Sequence, residues 1–208
     1  KPETRKSNNN ATKSIYVKPT ILLVGDDNST SLGSVTDSVS RTKDSVSAVG
    51  YTYDYSYVID GLDGPDYDTG VNMLSDYDIV IWDCGLDGSD TLTASDIVNL
   101  QEYLDGGGNL WLIGSEIYDD FDDGSPGAGI SFLTNYLGVG AALYNDVHPD
   151  KVTGTNNTFI NLTGVDYDTR ILDAPYQQTA DVFDVNDDFS GDAQGILNDS
   201  VNGYHNIS

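Results

Sequence analysis

The chain has 208 residues, and its 9 Lys and Arg stand against 34 Asp and Glu for a formal charge of −25. That excess repels phosphate and sets aside a nucleic-acid partner, and no apolar run approaches the roughly 18 residues needed to span a bilayer. A hydrophobic content of 38% supplies one sizeable core rather than disorder, and the lone Cys84 excludes an internal disulfide.

The charge is divided along the chain. Residues 1–18 carry Lys1, Arg5, Lys6, Lys13 and Lys18 with Glu3 as the one acid, a net +4, whereas the rest holds 4 bases against 33 acids, a net −29. This leader is polar and aperiodic, so it reads as a basic N-terminal arm. The fold then starts at Thr20-Ile21-Leu22-Leu23-Val24-Gly25-Asp26-Asp27, a continuous apolar run ending in glycine and acids, as expected of a strand buried on both faces. A Ser/Thr-rich stretch over about 33–49 spaces Leu32, Val35, Val39 and Val46 as a weak helix. Tyr51, Tyr53, Tyr55 and Tyr57 alternate with smaller residues and predict a strand with four phenol rings on one face.

Asp78-Ile79-Val80-Ile81-Trp82-Asp83 predicts the next doubly buried strand. Thr93-Ala94-Ser95-Asp96 caps a helix through Ile97, Leu100 and Leu104, closed by Gly106-Gly107-Gly108. Asn109 to Gly114 predicts another buried strand, Ile130 to Leu137 a short helix and Ala141 to Val147 a strand. Strands alternating with helices require repeated crossovers and a mostly parallel sheet. The expected fold is α/β, a three-layer flavodoxin-like sandwich over residues 19–150, followed by an irregular β-rich extension over 151–208 with short pieces such as Phe159-Ile160 and Arg170-Ile171-Leu172.

In such a sheet the crevice lies beyond the carboxyl ends of the strands. Asp26, Asp27, Asp83 and Glu116 all fall there, an oxygen-rich set suited to a hard cation such as calcium. The acid pair and Asp83 also resemble a phosphoacceptor receiver domain, but the lysine such a domain needs has only Lys151 as a loose counterpart. Cys84 ends a strand as the nucleophile of some caspase-like peptidases does, yet His148 and His205 both stand downstream of it rather than upstream. Asp184, Asn186 and Asp188 have the 1-3-5 spacing of a calcium loop, with Phe189 where an EF-hand has glycine. Asp119-Asp120, Asp122-Asp123 and Asp60 to Asp68 read as solvated loops. The tyrosine stripe reads either as a strand face under a helix or as an interface.

Taken in order, Ile21–Asp27, Tyr77–Asp83, Leu92-Thr93, Tyr103–Ile117 and Phe132–Val139 resemble the class I glutamine-amidotransferase-like domain of secreted archaeal and bacterial proteins, over residues 19–147. The resemblance places the catalytic elbow at Gly114-Ser115-Glu116-Ile117-Tyr118, where glutamate stands in the position of the thiol; a carboxylate cannot accept the acyl group of glutamine as a thiolate does. His148-Pro149-Asp150 resembles the family's His-Pro-Glu partner segment and reads as a turn, and Ser115 has no evident base other than His148. The resemblance also implies a closing apolar strand and helix beyond about residue 200; residues 200–208 supply neither, so further chain or another subunit's arm is expected to complete the sheet edge.

Asn-x-Ser/Thr sequons at Asn10, Asn28, Asn156, Asn161, Asn198 and Asn206, together with 31 Asp against 3 Glu and few lysines, point to an extracellular or surface-displayed glycoprotein. The expectation from sequence is a non-catalytic structural or interaction domain of a surface assembly or secreted multidomain protein. It would self-associate, or bind other domains of the same protein, through the basic arm and the stripe Tyr51, Tyr53, Tyr55 and Tyr57. The alternatives are an accessory domain of a secreted peptidase and a calcium- or carbohydrate-binding module.

Overall fold

A computed structural model describes residues 17–27, 38–59, 61–85, 91–114, 117–122, 127–147, 151–154, 165–166, 180–185 and 197–199, with the backbone alone from residue 141 onward. Its centre is a four-stranded parallel sheet of β1 (Ile21–Gly25), β2 (Asp54–Tyr57), β3 (Ile79–Asp83) and β4 (Asn109–Ile113), in the order β2-β1-β3-β4. In register, Leu23 lies between Tyr55 and Ile81, and Ile81 lies beside Trp111.

Alternation along the strands makes two cores. Ile21 and Leu23 of β1 and Ile81 of β3 face α1 (Ser38–Ala48) through Val39 and Val46. Leu22, Val24, Val80 and Trp82 face the opposite side, where they meet Ile97, Leu100 and Tyr103 of α2 (Ala94–Asp105), Phe121 of α3 (Ile117–Asp122) and Phe132 of α4 (Gly129–Tyr136). Right-handed crossovers give this division: the chain steps to one side of β1 through α1 and to the other side of β3 through α2, so the two helices cover opposite faces. The molecule therefore has the helix–sheet–helix layers of an α/β sandwich. Leu22, Trp82 and Phe132 are fully enclosed, and truncating any of them to alanine costs about 2–5 kcal/mol.

Local signals account for the element ends. Thr93 and Asp96 form a reciprocal capping box, with the Asp96 amide donating to Thr93 Oγ1 at 3.2 Å and the Thr93 amide donating to Asp96 Oδ2 at 2.9 Å. After α2 the chain reverses at Gly107, φ +89°, and a Cβ on Gly108 would run into the Tyr103 ring. Both positions require glycine.

Several expectations are corrected. The tyrosine strand is short, Asp54–Tyr57, because the chain from Tyr51 to Tyr53 runs past the sheet without pairing to it. β4 is not buried on both faces: it is the outer strand of the four, and Trp111 is 58% exposed. β5 (Val139–Val147) pairs antiparallel with β8 (Ala180–Val185) rather than joining the central sheet; a strand interrupted by Asn145-Asp146 lacks the unbroken apolar run of a doubly covered parallel position. β6 (Lys151–Gly154) lies between β7 (Val165–Asp166) and β9 (Leu197–Asp199) in a further antiparallel sheet. Asp119, Asp120 and Asp122 lie in α3 rather than in a solvated loop, and the Asp120 carboxylate is buried where it accepts the Thr91 amide and hydroxyl at 3.0 and 2.7 Å. Among the described residues no helix is long and apolar enough to cross a membrane.

Candidate functional site: the carboxylate crevice

Strand order reverses between β1 and β3, so the loops that leave their carboxyl ends diverge to opposite faces and open a crevice. Asp26 and Asp27 follow β1, while Asp83, Cys84 and Gly85 close β3. The two strand ends are tied by the Asp26 amide, which donates to the Asp83 carbonyl at 2.8 Å. All three carboxylates are enclosed, with exposures of 3%, 3% and 0% for Asp26, Asp27 and Asp83.

Their partners differ. Trp82 Nε1 donates to Asp26 Oδ2 at 3.0 Å, which turns that carboxylate toward the α2 side of the sheet. Asp27 and Asp83 instead share the first residue of α1: Ser38 Oγ lies 3.1 Å from Asp27 Oδ2 and 2.6 Å from Asp83 Oδ1, and the Ser38 amide donates to Asp27 Oδ2 at 3.0 Å. Thr42 Oγ1, one helical turn on, donates to Asp83 Oδ2 at 2.6 Å, and the Gly85 amide donates to Oδ1 at 3.1 Å. Gly85 has φ +67°, and a Cβ there would strike the Asp27 carboxylate, so glycine is needed for the loop to close over the acids.

Burial pushes the Asp83 carboxyl above the ordinary carboxylate range; the bonds from Ser38, Thr42 and Gly85 oppose that rise, and the charge of Asp27 adds to it. One serine proton cannot serve two carboxylates at once. The Ser38 hydroxyl therefore stands between two carboxylate oxygens and donates to one of them at a time.

Cys84 is fully buried, and its Sγ donates to the Thr91 carbonyl at 3.3 Å. Burial first, then the charges of Asp26, Asp83, Asp96 and Asp120, push its thiol well above the ordinary range, so it stays protonated at neutral pH. A nucleophilic cysteine needs the opposite environment, exposed and electropositive.

Among the described residues no group of three or more His, Cys, Asp and Glu side chains is arranged to hold a metal ion. Of the acids expected to do so, Asp27 and Asp83 come together through Ser38, and Asp26 turns to Trp82. Glu116 lies outside the described residues, as do Ser115 and His148. Asp184 lies in β8, with Asn186 and Asp188 outside the described residues. Asn198 is in β9, and the sequons at Asn10, Asn28, Asn156, Asn161 and Asn206 fall outside, as do Lys1, Arg5, Lys6 and Lys13. Lys18 donates to the Gly50 carbonyl, and its ammonium sits 5.7 Å from the Tyr51 ring centre.

Of the tyrosine stripe, Tyr51 and Tyr53 pack against the α1-side core, while Tyr55 and Tyr57 are exposed; Lys43 of α1 lies over the Tyr55 ring at 3.3 Å. Sequence reasoning missed Ser38 and Thr42. Their spacing of four residues, which puts two hydroxyls on one helix face, was the available signal.

No family model, no curated protein and no solved structure matches the chain.

Proposed function

We propose that this chain is a non-catalytic interaction domain of an extracellular surface assembly or secreted multidomain protein. It associates by seating the basic leader of one copy on the acidic body of another. The observation that carries the reading is the charge division, +4 in residues 1–18 against −29 in the remainder, because opposite charges on two parts of one chain make copies mutually complementary. The crevice supports the non-catalytic half: its carboxylates are engaged with protein donors and the Cys84 thiol is buried and protonated, so Cys84 offers no ready thiolate nucleophile.

Sedimentation equilibrium tests the reading. The full chain should associate in about 50 mM salt and dissociate in about 500 mM, where screening is several-fold shorter in range. Replacing Lys1, Arg5, Lys6 and Lys13 by glutamine should leave monomers at both. Equal association by the glutamine variant would exclude the leader as the contact.

A further inference from the structure

A second cavity lies at the opposite end of the sheet from the crevice, at the amino ends of β3 and β4. It holds about 210 Å³ and is walled by Tyr67 and Ser75 of the loop before β3, by Tyr77 and Asp78, by Tyr103 of α2 and by the turn Gly106–Asn109. No basic side chain lines it, and polar atoms rather than ring carbons make most of its surface.

The backbone amides of these walls are already spent. Those of Gly106, Gly107 and Gly108 donate to the carbonyls of Glu102, Leu104 and Tyr103 at 2.9, 2.9 and 3.0 Å. The Asn109 amide donates to the Tyr103 hydroxyl at 3.1 Å, and Asn109 Nδ2 donates to the Asp78 carbonyl at 2.9 Å. Across the cavity, the Tyr67 amide donates to Asn99 Oδ1 at 3.3 Å, and the amides of Ser75, Tyr77 and Asp78 donate to the carbonyls of Tyr67, Leu74 and Thr20 at 2.9, 3.1 and 3.1 Å. Tyr77 gives its hydroxyl proton to Asp54 Oδ2 at 2.9 Å, and Tyr103 gives its own to the Tyr77 carbonyl at 3.2 Å.

The acceptors are in the opposite condition. Among the described residues no hydrogen bond ends on the carbonyls of Gly106, Gly107 or Gly108, and none engages the hydroxyls of Tyr67 and Ser75. The Tyr67 hydroxyl stands against the turn, 3.0 Å from where a Cβ on Gly106 would lie. Carboxylates around the cavity set the sign of its field. Burial, then the hydrogen bond and charge of Asp54 and the charge of Asp76, push the Tyr77 phenol up to about 12. Burial also raises Tyr103, a bond from Asn109 opposes the rise, and the charge of Asp78 adds to it.

These walls select among ligands. An anion would find neither a basic side chain nor a spare backbone amide. A polyol hydroxyl brings lone pairs as well as a proton, and the amides that would satisfy those lone pairs are taken. A quaternary ammonium has no N–H and relies on ring faces, which this surface scarcely offers. A primary ammonium carries three donors and no acceptor, which matches unengaged carbonyl and hydroxyl oxygens in a negative field.

We propose that this oxygen-lined cavity binds the primary ammonium group of a small amine or of a lysine side chain, held by the carbonyls of Gly106–Gly108 and the hydroxyl of Tyr67. The site goes beyond the association reading and stands whether or not copies associate.

Amide resonances of Gly106, Gly107, Gly108 and Asn109 in ¹H–¹⁵N spectra of the full chain, titrated at constant ionic strength, test this. Ethylammonium should shift them saturably, and tetramethylammonium, equal in charge but without N–H, should bind about tenfold more weakly. Nα-acetyl-lysine methylamide separates the two sources: tighter binding than ethylammonium assigns the site to a lysine side chain, equal or weaker binding to a free amine. Tyr67→Phe removes one acceptor and no described hydrogen bond. Gly106→Ala keeps an ordinary backbone, φ −72°, and sets a methyl against the Tyr67 hydroxyl. Each variant should weaken ethylammonium about tenfold while resonances elsewhere keep their positions. Equal binding of the two ammonium ions, full affinity in both variants, or the same saturable shifts produced by glycerol or calcium overturns the proposal, as does the absence of a saturable shift at these four amides.

Discussion

At Asp83 two opposing effects meet in one side chain. Hydrogen bonds from Ser38, Thr42 and Gly85 favour the carboxylate, burial beside Asp27 favours the acid, and burial is the larger effect. Asp96 repeats the balance: burial raises it, while bonds from Thr93 and Gly64 offset part of the rise. An acid whose folded pKa stands above its unfolded value of about 3.9 binds more protons folded than unfolded between the two. Its contribution to stability is fully present below about pH 3.9 and is lost as pH rises through the folded value. Asp83→Asn keeps the shape, and its amide can donate to Thr42 Oγ1 in place of accepting from it. The variant should therefore melt higher than the parent at pH 7 and closer to it near pH 4, as read by calorimetry across that range. An equal drop in melting temperature at both pH values would mean that the bonds from Ser38, Thr42 and Gly85 outweigh burial at Asp83.

Neighbouring strands place the chain's two tryptophans in opposite surroundings. Trp82 in β3 is 0% exposed and donates to Asp26, whereas Trp111 in β4 is 58% exposed on the outer strand. Trp111→Phe should leave a blue-shifted emission that acrylamide barely quenches, at a stability cost below about 1 kcal/mol, while Trp82→Phe should leave red-shifted, readily quenched emission and lose several-fold more stability. If the two variants have the same quenching constant, β4 is covered in solution by something beyond its contacts with β3. This strand also marks the limit of what the sequence discloses. Leu110-Trp111-Leu112-Ile113 reads as a buried strand because apolar composition records that a strand can be covered, not whether a neighbour arrives. β1 and β3 were legible because their runs end in glycine or acids, and α2 because Thr93 and Asp96 are a cap written in local chemistry. In the crevice, Asp26, Asp27 and Asp83 were legible as strand-end residues. That Ser38 bridges two of them depends on where α1 begins, and a Ser/Thr-rich stretch with few apolar residues fixes that start poorly. Asp120 misled for a related reason: acids in pairs look solvated, yet α3 turns one of them inward onto Thr91.

On the scale of the whole molecule, the same charge distribution has two consequences of opposite sign in salt. A body of −29 repels itself when folded, and among the side chains described only Lys18, Arg41 and Lys43 are basic. Raising salt from about 0.1 to 1 M shortens the screening length from about 10 Å to about 3 Å, which relieves this repulsion more in the folded globule than in the expanded chain. The melting temperature should rise, by about 5 °C. Contact between a +4 leader and a neighbour's acids is an attraction, and the same screening weakens it. Stability and association should therefore move in opposite directions along one salt series, with melting followed by calorimetry and mass by light scattering on the same samples. Contacts driven by apolar surface would strengthen with salt alongside the fold. A chain whose mass and melting temperature climb together would have to assemble through exposed rings such as Tyr57 and Trp111 rather than through its leader.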